Sequence, residues 1–173
     1  PEEEVKMTGK TQINANSLNY TEMMRTAQGT NCRKLEIVTE SDYDNYNSSP
    51  IYRVTFSEML DNLNNVEPLF LGQFGVKFVM RYQHEWTTSN DPYTLENVCS
   101  GYDRLAQFRD YWNNPSSYFY NNIVKDVGIF YSGINFDGNT LGCAPTGSIG
   151  GVFNGHLSSN QYMIVQTNLY DGL

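Results

Sequence analysis

Segments with a two-residue hydrophobic period alternate with segments of helical period from residue 34 to residue 167, and no other feature constrains the fold as tightly. Lys34-Leu35-Glu36-Ile37-Val38-Thr39 alternates apolar and polar residues before the polar turn Ser41-Asp42, which predicts a strand. Val54, Met59, Leu60 and Leu63 then recur at helical spacing behind Pro50, predicting a helix from about Ile51 to Asn65. Phe74 to Tyr82 returns to a period of two and runs on towards Trp86, and Asn90-Asp91-Pro92-Tyr93 marks a turn. A second helix is predicted from about Tyr102 to Asn113, with Leu105, Phe108 and Trp112 on one face and Asn114-Pro115 closing it. Asp126 to Tyr131 reads as a buried strand, a Gly-rich stretch after Asn135-Phe136-Asp137-Gly138-Asn139 holds a short strand, and Tyr162 to Thr167 makes the last one. This order predicts an α/β fold: a mixed, mostly parallel sheet with flanking helices. Residues 1–31 show no sustained period and read as an N-terminal arm or irregular lead-in, with at most a short helix from Glu22 to Gln28; residues 32–173 form the domain.

The surface of such a domain is polar without being charged, since only 17% of residues are charged while Asn, Ser, Thr and Tyr abound. A net charge of -8 with no basic stripe argues against nucleic acid or an anionic membrane face as partner, because both need clustered Lys and Arg. No apolar run approaches the length of a transmembrane helix. The start Pro1-Glu2-Glu3-Glu4 reads as a processed or trimmed end. Three cysteines, Cys32, Cys99 and Cys143, allow one disulfide with one thiol over, and Cys32 with Cys99 is the expected bridge. Asn19-Tyr20-Thr21 and Asn47-Ser48-Ser49 fit the N-glycosylation pattern. These features lean towards an extracellular or cell-surface protein.

Few residues offer chemistry. His84-Glu85 begins like H-E-x-x-H, but Thr88 stands where the second ligand belongs, and adjacent strand residues point to opposite faces. His156 reads as a solvated loop histidine, and Glu40, Asp42 and Asp44 read as a polar turn rather than a calcium loop. Ser132-Gly133 lacks the surroundings of a nucleophile elbow, and Gly147-Ser148-Ile149-Gly150-Gly151 has no Lys to make it a phosphate loop. The Tyr118-Phe119-Tyr120 cluster is expected to pack the second helix onto the sheet. No catalytic or metal-binding residue is assigned.

Several pieces in order resemble one family. Cys32-Arg33-Lys34-Leu35-Glu36-Ile37 ahead of Ser41-Asp42-Tyr43, Trp86-Thr87-Thr88-Ser89-Asn90-Asp91-Pro92-Tyr93-Thr94, Gln107-Phe108-Arg109-Asp110-Tyr111-Trp112-Asn113, and Phe130-Tyr131-Ser132-Gly133 before Asp137-Gly138-Asn139-Thr140-Leu141-Gly142 resemble the reprolysin (adamalysin-like) branch of the metzincin zinc peptidases, in its microbial form. The resemblance covers about Cys32 to Gly150 and implies the upper subdomain of that fold. It implies that Thr140, Leu141 and Gly142 form the edge strand above the cleft, where an extended protein or peptide substrate is held by main-chain hydrogen bonds. Cys143 and Pro145 depart from the family's pattern in this stretch, and a Pro removes one donor from a strand edge.

The zinc helix, its third ligand and the methionine turn of the family are expected beyond Leu173, so zinc is expected only if the polypeptide continues. A sheet face left bare by their absence would cost on the order of 10 kcal/mol at roughly 25 cal/mol per Å². A second copy, another chain or the N-terminal arm is expected to cover it. Two readings follow. One is a non-catalytic, structural or self-assembling surface subunit; the other is the substrate-edge half of a secreted zinc endopeptidase.

Overall fold

The computed structural model describes residues 32–98, 103–136, 140–144, 152–153, 156–157 and 161–167. In chain order the elements are β1 (Arg33–Ser41), α1 (Tyr43–Asn47), α2 (Phe56–Phe74), β2 (Val76–Glu85), α3 (Arg104–Trp112), α4 (Tyr118–Asn122), β3 (Val127–Ser132), β4 (Gly142–Cys143), β5 (Val152–Phe153), β6 (His156–Leu157) and β7 (Tyr162–Gln166). Five strands form one sheet in the order β2-β1-β3-β7-β4. β1 pairs in parallel with β2 and β3, β3 in parallel with β7, and β4 runs antiparallel to β7. The expected mixed, mostly parallel α/β sheet with flanking helices is what forms.

Alternation along the strands sorts the core into two clusters, one on each face. Val38, Phe130, Tyr162 and Ile164 pack against Phe108 and Trp112 of α3 and Phe119 of α4. Ile37, Val127, Ile129 and Tyr131 pack on the other face with Met59 and Leu63 of α2. β1 and β3 supply both clusters because central parallel strands are covered on both sides. Both faces of the sheet thus carry helices, and on the α2 face Leu35 of β1, Phe78 of β2 and Met163 and Val165 of β7 stay half-buried.

The helix expected over Ile51–Asn65 starts later and runs further. Thr55 is the N-cap of α2: its side chain accepts from the Glu58 N–H while the Glu58 carboxylate accepts from the Thr55 N–H, a capping box. The helix continues through Pro68 and ends at Gly75, whose φ of 63° suits the left-handed conformation that only glycine adopts cheaply. Two short helices, α1 and α4, escape the sequence reading. His156 lies in β6, paired with β5, rather than in a loop. The segment Glu22 to Gln28 lies outside the described residues.

Candidate functional site: the antiparallel edge strand and the plugged crevice beside it

Open parallel sheets offer ligands a crevice at the carboxyl ends of strands that diverge in connection, here β1 and β3. In this chain that crevice is filled by its own side chains. Asp42, directly after β1, is fully buried and caps α1: its Oδ1 accepts from the Asn45 N–H at 2.8 Å and the Gly133 N–H at 3.0 Å, while Oδ2 accepts from the Ser132 hydroxyl. Arg104 of α3 enters from the other side, its Nη2 3.1 Å from Asp42 Oδ2 and 2.5 Å from Asp44 Oδ2. Burial pushes the Asp42 carboxyl above its ordinary range, and the Arg104 guanidinium with three hydrogen bonds pulls it back only in part. A Cβ on Gly133 would collide with the Asp44 backbone, so α1 sits directly on the end of β3.

Glu40 is the second buried acid that the sequence reading placed in a polar turn. It is 0% exposed, and its carboxylate accepts from Trp86 Nε1, the Tyr93 hydroxyl and Trp112 Nε1, each at 2.5 Å. Three neutral donors converge on one anion inside the aromatic cluster. Burial, then the Glu40 charge beside it, holds the Tyr93 phenol well above its ordinary pKa. His84 is a quarter exposed, stands edge-on to Trp86, and has Nδ1 3.7 Å from Glu40 Oε1. Glu85 turns away to a bidentate pair with Arg53 at 2.7 and 3.2 Å. The two residues of the His-Glu pair thus serve different neighbours and do not fit zinc. Among the described residues no group of three His, Cys, Asp or Glu side chains is placed to hold a metal.

The edge strand is where the main chain meets solvent. β4 is one of the sheet's two edge strands, β2 being the other, with Gly142 opposite Val165 and Cys143 opposite Ile164. Leu141 accepts at its carbonyl from the Gln166 N–H at 2.9 Å, so Leu141 faces inward in the ladder. Alternation in an antiparallel ladder then turns the Gly142 N–H and C=O outward, away from β7. Leu141 and Gly142 are exposed and Thr140 is half-buried. A Cβ on Gly142 would stand 2.6 Å from the Ile164 carbonyl oxygen, which explains a glycine at this position. The residues singled out by resemblance, Thr140, Leu141 and Gly142, therefore lie on and beside this edge, though the strand itself is Gly142–Cys143. Pro145 lies outside the described residues.

The cysteines depart from the expected bridge. Cys143 is disulfide-bonded and its sulfur lies 3.7 Å from the Val98 carbonyl, whereas Cys32 is an exposed thiol, so the pairing of Cys32 with Cys99 gives way. Cys32 precedes β1 at the opposite end of the sheet from β4's partner residues, and nothing in strand period could have ranked the three. Cys99 lies outside the described residues. Asn47 is exposed at the end of α1, and Asn19 lies outside the described residues.

No family model matches this chain, and no curated protein matches it. Among solved structures, one similar chain comes from "Structure of a chaperone-substrate complex": 12% identity, a TM-score of 0.47, covering 79% of this chain. This chain spans about a fifth of that one, 21%. At that score the likeness carries no functional information.

Proposed function

We propose that this chain is the peptide-holding part of an extracellular, metzincin-like domain, in which an extended peptide lies along β4 and is held by main-chain hydrogen bonds. The observation that supports it is β4 itself: an antiparallel strand at the rim of an otherwise parallel sheet, with the main-chain groups of Gly142 turned outward. An extended peptide adds to such an edge by the same hydrogen bonds that pair two strands. The plugged crevice at Asp42 and Arg104 favours this edge over the strand ends as the place for a ligand. A disulfide-bonded Cys143 beside the edge suits an oxidising, extracellular setting.

On this reading the described residues hold a peptide and cleave nothing. A zinc endopeptidase would add a H-E-x-x-H helix from outside residues 1–173 and use the same edge for its substrate. A self-assembling surface subunit would use the edge too, with a strand of a second copy in place of the peptide. The test is fluorescence polarisation of labelled, extended peptides against the chain, beside the same peptides N-methylated at alternate positions. Binding that one N-methyl register abolishes and the other spares supports the edge. Binding indifferent to both registers defeats it, and saturable self-association that peptide competes away supports the assembly reading.

A further inference from the structure

A small polar cavity of about 320 Å³, lined by Glu96, Asn97, Ile134 and Asn135, lies beside β4. Both of its walls are tied to the edge strand. Asn97 precedes Val98, whose carbonyl lies 3.7 Å from the Cys143 sulfur; Asn135 Oδ1 accepts from Gln166 Nε2 at 3.2 Å, and the Gln166 N–H donates to the Leu141 carbonyl. Ile134 and Cys143 pack against the same aromatic cluster, so the Cys143 side chain lies on the cavity's face of the sheet. Leu141, two residues before it, shares that face.

Glu96 is exposed, and among the described residues no cation forms an ion pair with it. Arg104 Nη1 donates to the neighbouring Leu95 carbonyl at 3.3 Å, but its guanidinium is already held by Asp42 and Asp44. Asn135 Oδ1 keeps a second lone pair beside the one that Gln166 uses. Ile134 adds an apolar wall. A carboxylate, an amide oxygen and an aliphatic surface together suit a long side chain with a cationic tip. The volume, at the small end of ligand cavities, fits one side chain rather than a whole ligand.

We infer that this cavity is a side-chain subsite of the edge, taking a lysine or arginine of the bound peptide; the inference rests on the reading of β4 as the peptide-holding strand. A peptide paired with β4 runs about 4.8 Å outside it and turns every second side chain to the cavity's face. Reaching back across one strand takes a long side chain, which lysine and arginine have. Their stem lies along Ile134 and their charged tip donates to Glu96. Side chains of the other alternate set point to the opposite face, so the preference belongs to one register only.

The experiment is fluorescence polarisation with labelled extended peptides that carry lysine, norleucine or glutamate at each position in turn, against the full chain and its Glu96→Gln and Glu96→Lys variants. Glu96 is exposed, so neither substitution disturbs the core. The expected result is that lysine binds about threefold tighter than norleucine at positions of one alternate set. Glu96→Gln removes that advantage, and Glu96→Lys transfers it to glutamate at the same positions. A lysine advantage that Glu96→Gln leaves intact overturns the inference, because it reports only attraction to a chain of net charge -8. Peptides that pair in one N-methyl register yet show no lysine preference also overturn it, and leave the edge standing. Peptides that do not bind in a register at all defeat the edge and the subsite together.

Discussion

Trp112 Nε1 donates to Glu40 Oε2 at 2.5 Å, joining the last residue of α3 to the middle of the sheet through a buried carboxylate. Trp86 Nε1 and the Tyr93 hydroxyl donate to the other oxygen of the same group. One acid thus fixes the helix, the end of β2 and the loop after it, and its removal strands three donors, those of Tyr93 and Trp112 buried and that of Trp86 half-buried.

Replacing Glu40 with Leu is therefore expected to cost about 3–5 kcal/mol, because Trp86, Tyr93 and Trp112 keep their polar atoms and lose their acceptor. Glu40→Gln keeps one acceptor oxygen and should cost about half as much. Urea unfolding of the two variants checks the ranking; equal losses would mean that side-chain volume, not acceptor capacity, is what the site needs.

Lys125 makes stability depend on alkaline pH. Its folded pKa, about 8, lies below the ordinary 10.5, so the folded chain binds fewer protons than the unfolded chain between these values. Stability accordingly rises from about pH 8 towards pH 10.5 and falls back as pH drops through 8. The span is at most about 3 kcal/mol, from 1.36 kcal/mol per pKa unit. Lys125→Met should flatten the rise and be the more stable protein at pH 7, as thermal unfolding across pH 7–10.5 would reveal.

Gly142→Ala places a Cβ against the Ile164 carbonyl oxygen. A loss of about 1–2 kcal/mol is expected, confined to the rim of the sheet. Hydrogen exchange would localise it: faster exchange at Ile164 and Gln166 with β1 unchanged fits, and uniform loosening of the sheet does not.

Cys143 should resist alkylation until a reductant is added, while the exposed Cys32 thiol is labelled at once. Reduction is expected to lower stability by about 2–4 kcal/mol. Immediate labelling of Cys143 in the folded, unreduced chain would remove the disulfide from this account and with it one reason for an extracellular setting.

The sheet was legible because β1 and β2 alternate apolar and polar residues, while β3 and β7 stand out as short apolar runs of strand length. The start of α2 was legible too, through Thr55-x-x-Glu58, yet the apolar spacing from Val54 drew the reading upstream. Its end was obscured by Pro68, which removes one N–H and ordinarily stops a helix; here tertiary packing of Leu71 and Phe70 carries the helix past it. Glu40, Asp42 and Arg104 were unreadable for a different reason. Glu40 meets Trp112 across 72 residues and Asp42 meets Ser132 across 90, so a turn full of acids gives no local sign that folding will bury it. The edge strand was placed by resemblance, since two residues are too few to show a period.

The central claim is that a peptide pairs with β4 through Gly142, and amide hydrogen exchange with and without a saturating extended peptide tests it most directly. The account predicts new protection at the Gly142 amide, whose N–H faces outward, with little change at Cys143, which already faces β7. Peptide binding that protects amides elsewhere in the sheet and leaves Gly142 exchanging at its free rate would contradict it.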